Sequence, residues 1–511
     1  MRHAAALLLA LFTAPRLVAQ AVERTDTPKK GAVRVTLDPR VEYWSAQFGP
    51  NGRQRLGGFL DGDSVGAAAV PALGPMQQDV RTASGLSAFV ANLGAGIIGI
   101  RAERRITPLA AEVGLTDRLS IGVMVPLVRV DVRKAYVLDT TGNLGHNPLV
   151  FEGADATYAA FFGAFDSSLT QLDQYIAANC PANPSCGTAQ NLSTEGHAMR
   201  LALGRVIYGT GPTGRTPFIP LNQSAAGQAI DTTIAQIQRE LADSFSIAGF
   251  TQSLLLPTAR ASGDEFSFFL ADSAFGINDT PLDRTNRGEQ YWLGDAEVSA
   301  KYRVIAGDRY AAAAALVLRL PTGHLASPND PFGVSTGDHQ TDVEGRLIQE
   351  WTLGGRLWLN LNVRGGIQLA GQRERRVAPP GLFWVTSAAD ARLSWKPGNY
   401  LGADFAPMYR FTPTFAAGAA GSYYTQRADR YAFRSAADST ALAARLGVPT
   451  SASVLDAGTG IRFLRLGLAV TYTGPRWEAG FSVLQTVSGG GAAVPASTVF
   501  RIVLRTYRAI F

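Results

Sequence analysis

Few residues of this chain have the chemistry for catalysis. Beyond His3 its histidines are His146, His197, His324 and His339. A hydrolase needs a base beside its nucleophile or its activated water. The spacings closest to that need are His324 with Ser327, and His339 with Asp338 and Asp342. Both sets lie in or beside the polar stretch 321 to 340, where His and Asp serve equally well as solvated side chains. The chain is therefore read as a non-enzyme, with a barrel hydrolase as the remote alternative. The two cysteines stand in Asn179-Cys-Pro-Ala-Asn-Pro-Ser-Cys186. In an exported protein Cys180 and Cys186 at this spacing read as a small disulfide-closed loop. No His or further Cys is near enough to complete a zinc set, so no metal is expected, and no motif calls for a cofactor.

The remaining chemistry lies in charges set at alternate positions. Arg34, Asp38, Arg40 and Glu42 share one face of 33 to 43, and Val33, Val35, Leu37, Val41 and Tyr43 share the other. The same alternation runs from Arg356 to Ala370, with Leu357, Leu359, Leu361, Val363, Ile367 and Leu369 opposite Arg356, Asn360, Asn362, Arg364 and Gln368. A helix would scatter both sets around its axis, whereas a strand segregates them. Arg or Lys facing lipid at the bilayer midplane costs about 2 to 4 kcal/mol. Arg34, Arg40, Glu42, Arg356, Arg364, Asp404 and Arg410 are thus the candidates for a polar lumen. There they would act as selectivity charges or as an ion-pair network that fills the interior.

These charges must be positioned by long alternating strands, and such strands recur at 119 to 127, 401 to 411 and 464 to 472. After Leu127 the phase flips, because Val128, Val130 and Val132 alternate with Arg129, Asp131 and Arg133; a bulge or an exit from the membrane would do this. Five short breaks rich in Gly, Pro or Asp separate strand pairs, at 114–118, 306–309, 353–356, 412–414 and 474–476. They read as tight turns on one side of a membrane. Five turns give six hairpins, hence an all-β, transmembrane, antiparallel up-and-down barrel of about twelve strands spanning 22–511. Trp384 to Trp395 is also strand-like and is assigned to an outer hairpin extension; counting it as a span gives fourteen strands as the alternative.

The connection from 134 to 290 is too long to lack structure. Within it Ile230, Ile234, Ile237, Leu241 and Phe245 follow helical spacing, as do Tyr158, Phe162, Phe165, Leu169, Leu172 and Tyr175 between 154 and 178. The sequence predicts a partly helical insertion, either capping the outer mouth or folded into the lumen. The loop 48 to 97 is rich in Gly and Ala and reads as a plug, a shield for an apolar ligand, or a linker.

Composition agrees. Charged residues make up 17% of the chain, below the roughly 25% of soluble domains, and mean hydropathy is +0.04, the balance expected of strands with one apolar face. No run of about 18 apolar residues follows the leader, which excludes membrane helices. The net charge of +6 is dispersed along the chain instead of clustered with aromatics, so nucleic acid is not an expected partner. Residues 1–21 read as a signal peptide: Arg2 and His3, the apolar run Ala4 to Phe12, then Ala19-Gln20-Ala21. The C-terminal strand places Tyr507, Ala509 and Phe511 on one face. This resembles the signal by which the barrel-assembly machinery recognises its clients, with Ala509 in place of the usual large residue. The location implied is the outer membrane of a Gram-negative bacterium, and the partners implied are its lipid and that machinery.

Glu112-Val-Gly-Leu-Thr-Asp-Arg-Leu-Ser-Ile-Gly-Val-Met-Val-Pro126, Leu293-Gly-Asp-Ala-Glu-Val-Ser-Ala-Lys-Tyr-Arg303 and Leu318-Arg-Leu-Pro-Thr-Gly323 resemble the family of outer-membrane transporters associated with meta-pathway phenol degradation. The resemblance covers about 98–133 and 291–511, and the insertion departs from it. It implies a porin-like channel for passive uptake of small hydrophobic or aromatic molecules, without covalent chemistry. A structural or surface-binding barrel without transport is the alternative.

Overall fold

The computed structural model describes residues 23–509, apart from 50–51, 59–60, 181–182, 210–214, 276, 278, 280–285, 288–289, 331–332, 379–383 and 492–493. The signal-peptide expectation, 1–21, and Phe511 lie outside the described residues.

Among the described residues twelve antiparallel strands close into a barrel. They are β1 (Ala32–Leu37 and Arg40–Trp44), β2 (Gly96–Gly114), β3 (Leu119–Leu138), β4 (Ala296–Ala306), β5 (Tyr310–Leu320), β6 (Asp342–Leu353), β7 (Leu357–Gln368), β8 (Tyr400–Arg410), β9 (Phe415–Gln426), β10 (Ile461–Thr473), β11 (Trp477–Gly491) and β12 (Thr498–Ala509). Each pairs with its neighbours in chain order, and β1 closes the ring against β12 with Ala32 opposite Ala509 and Arg40 opposite Arg501. Pro39 interrupts β1 because it has no N–H to give. The ladder still bridges the gap, since Asp38 N donates to the Pro108 carbonyl (3.1 Å) and Ile502 N to the Pro39 carbonyl (2.9 Å).

The five predicted tight turns join β2–β3, β4–β5, β6–β7, β8–β9 and β10–β11 at one end. In the β6–β7 turn Gly354 and Gly355 have φ of 59° and 75°, left-handed values that glycine adopts without penalty. Side chains alternate as expected. On β7, Leu357, Leu359 and Ile367 are exposed on the outside, and Trp358, Asn360 and Asn362 are buried inside. The outer wall continues this apolar surface through Leu109, Ile121, Leu316, Leu347, Leu401 and Leu468. Exposed apolar area on that scale marks a membrane-facing surface. Near the tight turns it is edged by Tyr302, Phe411, Phe415, Tyr472 and Trp477, and at the far end by Tyr43, Tyr291 and Trp292, as interfacial aromatic girdles are. This is a transmembrane β-barrel of the outer-membrane type.

Strands β4 to β10 have 11 to 13 residues, enough for a tilted span of about 9 to 11. Strands β2 and β3 run to 19 and 20 and project beyond the others. Their pairing is unbroken from Gly96↔Leu138 to Gly114↔Ser120, so the phase change after Leu127 is not a bulge. The lipid-facing side simply passes into water at Arg129 and Arg133, while the opposite side carries Val130, Val132 and Tyr136 into a protein core.

That core belongs to a helical cap. The insertion supplies α2 (Asp155–Asn179), α3 (Cys186–Tyr208), α4 (Ala225–Phe245) and α5 (Gly263–Ala271), and the first outer loop supplies α1 (Gly74–Ser84). Val80, Phe165, Leu169, Leu203 and Ile237 pack with Ile98, Ile100 and Tyr136 of the projecting hairpin in one buried cluster. Ser224 caps α4 by accepting from Gly227 N, and Ser262 with Glu265 forms a capping box on α5. The first outer loop therefore joins the cap through α1. Trp384 to Trp395 does not span: Asp390–Lys396 pairs with Gly371–Arg376 and Arg430–Phe433 in a small outer sheet, and α6 (Ala436–Leu446) packs on it through Leu442.

Candidate functional site

The inward-facing residues enclose a cavity of about 770 Å³ along the lumen. Arg34, Arg40, Glu42, Arg364 and Asp404 all line it. Most of its charges are held in pairs against the wall. Arg104 and Arg465 converge on Glu42, which also accepts from Ser497 Oγ at 2.7 Å. Arg319 Nη1 reaches Asp342 at 2.8 Å and its Nη2 reaches Glu297 at 3.0 Å, while Arg346 joins Glu297 (3.0 Å) to Glu344. Arg34 is 5% exposed between Glu112 and Asp26, the latter at 3.1 Å. Pairing of this kind leaves a polar, wettable lining in which most charges are compensated.

Two candidates stand elsewhere. Arg356 occupies the β6–β7 turn and is exposed there, because the strand begins one residue later at Leu357. Arg410 ends β8 with its guanidinium 3.9 Å from the centre of the Trp358 ring, and neither residue lines the cavity.

Residues 23–30 form no strand of the wall. They fold into the lumen from the tight-turn end, a feature the sequence reading missed. At the rim Thr27 Oγ1 donates to the Asp117 carbonyl (2.9 Å) and Lys30 N to Asp117 Oδ1 (3.1 Å). Further in, Thr25 N donates to Glu350 Oε1 (2.9 Å), Arg24 bonds Asp26 (2.7 Å) and Glu478, and Glu23 accepts from Arg346 (3.2 Å). The available signal was charge complementarity: Glu23, Arg24 and Asp26 lack strand alternation but match the inward charges Arg346, Glu478 and Arg34.

At the outer end a second cavity of about 460 Å³ lies between the small outer sheet and β5 to β10. It shares Arg319, Asp338, Arg364 and Tyr424 with the lumen, so the two adjoin. No insertion residue between 134 and 290 lines the lumen cavity among the described residues; the helices cap one side of the mouth.

Cys180 and Cys186 form a disulfide between α2 and α3. Tyr507 turns inward beneath the Arg34 guanidinium, 5.8 Å from its ring centre, and Ala509 ends β12. His146 lies between Glu152 (2.6 Å) and Glu265 (2.8 Å), His324 stacks on Trp292 at 5.5 Å, and His339 Nδ1 meets the Gly323 carbonyl at 3.1 Å. His197 and Ser193 both bond Asp173, at 2.9 and 2.6 Å. The carboxylate is the central group there, so the imidazole does not act on the hydroxyl.

Residues 257–463 match the family described as "Putative MetA-pathway of phenol degradation". This is the family to which Leu293–Arg303 and Leu318–Gly323 pointed; the 112–126 stretch lies outside the match. No curated protein matches the chain. Among solved structures, an outer membrane channel from Pseudomonas putida F1 aligns at 7% identity over 95% of this chain and 100% of that one, with a TM-score of 0.43. The β domain of the Bordetella autotransporter BrkA aligns at 7% identity over 94% and 99%, TM-score 0.30. The CymD monoaromatic hydrocarbon channel aligns at 7% identity over 94% and 89%, TM-score 0.25. With these scores all below 0.5, the barrel rests on this chain's own hydrogen-bond ladder.

Proposed function

We propose that the protein is an outer-membrane channel for passive uptake of small molecules, hydrophobic and aromatic ones among them. The observation that carries this reading is the lumen cavity of about 770 Å³, adjoining the outer pocket and lined by charges most of which are neutralised in pairs. A wall of paired charges wets the interior without fixing a counter-ion in it, which suits passage. The family match over 257–463 supports the same direction. On this reading the leader exports the chain and the assembly machinery inserts it into lipid.

The test is reconstitution of the purified barrel in liposomes, with influx followed for a set of small sugars and aromatic solutes. Influx above protein-free vesicles supports the channel. No influx for any solute overturns it and leaves a structural or surface-binding barrel whose cap meets a partner.

A further inference from the structure

We propose that the outer pocket recognises a small aromatic carboxylate, seating its ring on the Tyr400–Tyr424 pair and its carboxylate on the guanidinium groups of Arg364 and Arg373. This rests on the channel reading and narrows its solute to an aromatic anion.

Two of the pocket's three carboxylates, Glu344 and Asp429, are already committed, and the third, Asp338, has its carboxyl pushed up to about 7. Glu344 is held by Arg346 and the Tyr400 hydroxyl. Asp429 accepts from Trp395 Nε1 (3.0 Å), Gly398 N (3.0 Å) and Gln426 Nε2 (3.3 Å). Among the cations Arg319 is spent on Glu297 and Asp342. Arg364 and Arg373 are not so committed. The nearest carboxylate to Arg364 is Asp404 at 3.8 Å, and its buried Nε donates to nothing. Arg373 lies 4.6 Å over the Trp395 ring and forms no ion pair with a carboxylate among the described residues. Burial, and then the charge of Arg375, disfavour its cation, a strain that a bound anion relieves.

The aromatic half is equally ordered. Tyr400 stacks on Tyr424 at 5.6 Å and Tyr424 on Phe463 at 5.3 Å, a ladder across β8, β9 and β10 that leads from the pocket into the lumen. Two glycines make room for it. A Cβ on Gly402 would stand 2.8 Å from Arg364 Nε, and one on Gly366 would strike the Tyr400 ring. A benzene ring with one carboxylate combines the two surfaces, and about 460 Å³ accommodates it.

Benzoate, acetate and phenol, titrated calorimetrically into the folded barrel, separate the contributions. Benzoate is expected to bind saturably and at least about tenfold more tightly than either, since each probe lacks one recognised group. Arg364→Ala and Arg373→Ala are each expected to weaken benzoate about tenfold, the scale of one charge-assisted bond. Heat-modifiable gel migration verifies that each variant is folded, and Arg373→Lys should restore part of the affinity. Phenol binding as tightly as benzoate, no saturable benzoate binding, or folded arginine variants with unchanged affinity would each overturn the proposal. Influx of arabinose, phenol and benzoate into liposomes keeps the two readings apart. Influx without benzoate binding overturns the anion site alone; benzoate binding without influx overturns the channel and supports the site.

Discussion

Arg501 on the last barrel strand grips both carboxylate oxygens of Asp38 on the first, Nε to Oδ1 at 2.7 Å and Nη2 to Oδ2 at 2.8 Å. The grip falls where Asp38-Pro39 breaks β1, at the seam that closes the ring. Side chains thus reinforce a ladder that proline weakens. Removing one partner of a buried pair costs about 3 to 5 kcal/mol, because the other charge stays desolvated. Asp38→Ala is expected to lower the temperature at which the barrel unfolds in heat-modifiability gels, and Asp38→Asn to lower it less. Unchanged unfolding in Asp38→Ala would mean that the backbone ladder alone secures the seam.

The segment 23–26 narrows the lumen from the tight-turn end through bonds to Arg346, Glu350 and Glu478. Replacing Glu23, Arg24 and Asp26 together by alanine removes its ion pairs and leaves every wall strand in place. Single-channel conductance in planar bilayers is expected to rise, with more open-level noise. A conductance equal to wild type would place the narrowest point elsewhere.

The barrel was legible because several of its strands repeat the same two-residue code. Leu359 to Arg364 shows it without a break, and the five turns carried Gly, Pro or Asp where the chain reverses. Two cap helices were legible because their apolar faces are continuous: the 154–178 expectation appears as Asp155–Asn179, and the isoleucine series appears within Ala225–Phe245. The α3 helix was not, since its buried face uses Ala189, Gly196 and Ala202 between larger residues and so lacks a strong apolar period. Arg356 shows the limit of parity, which assigns a face but not whether the residue still lies in the strand. The outer pocket was illegible for a different reason. Arg319, Arg364, Arg373 and Tyr424 come from separate strands, and only the ring closure and the small outer sheet bring them together.

The Cys180–Cys186 disulfide closes a short loop between α2 and α3, and a loop of this size contributes about 2 kcal/mol by restricting the unfolded chain. The benefit is confined to the cap. Cys180→Ser with Cys186→Ser is expected to leave the barrel's heat-modifiable migration unchanged while hastening proteolysis near 179–187. Limited digestion followed by mass spectrometry reads both. Loss of barrel migration would show that cap and barrel fold as one cooperative unit.

Asp338 makes the outer mouth sensitive to pH. Burial first, then the charges of Asp342 and Asp295, push its carboxyl up to about 7. Asp295 is fixed beside it by Gly323 N and Asp338 N, each at 2.8 Å. Unfolded, Asp338 titrates near the ordinary value of about 3.9. The folded loop holds the proton more tightly, so its stabilising effect is fully present below about 4 and is lost as pH rises through about 7. Amide exchange across 321–341, normalised for intrinsic rate, is therefore expected to be slower at pH 5 than at pH 8. Asp338→Asn, which mimics the neutral carboxyl, should flatten that difference. Asp338 also lines both cavities, so its ionisation adds a negative charge beside the arginines of the outer pocket. Benzoate affinity should then fall above pH 7 in the wild type and hold steady in Asp338→Asn, and equal pH profiles for the two proteins would remove Asp338 from the control of the mouth.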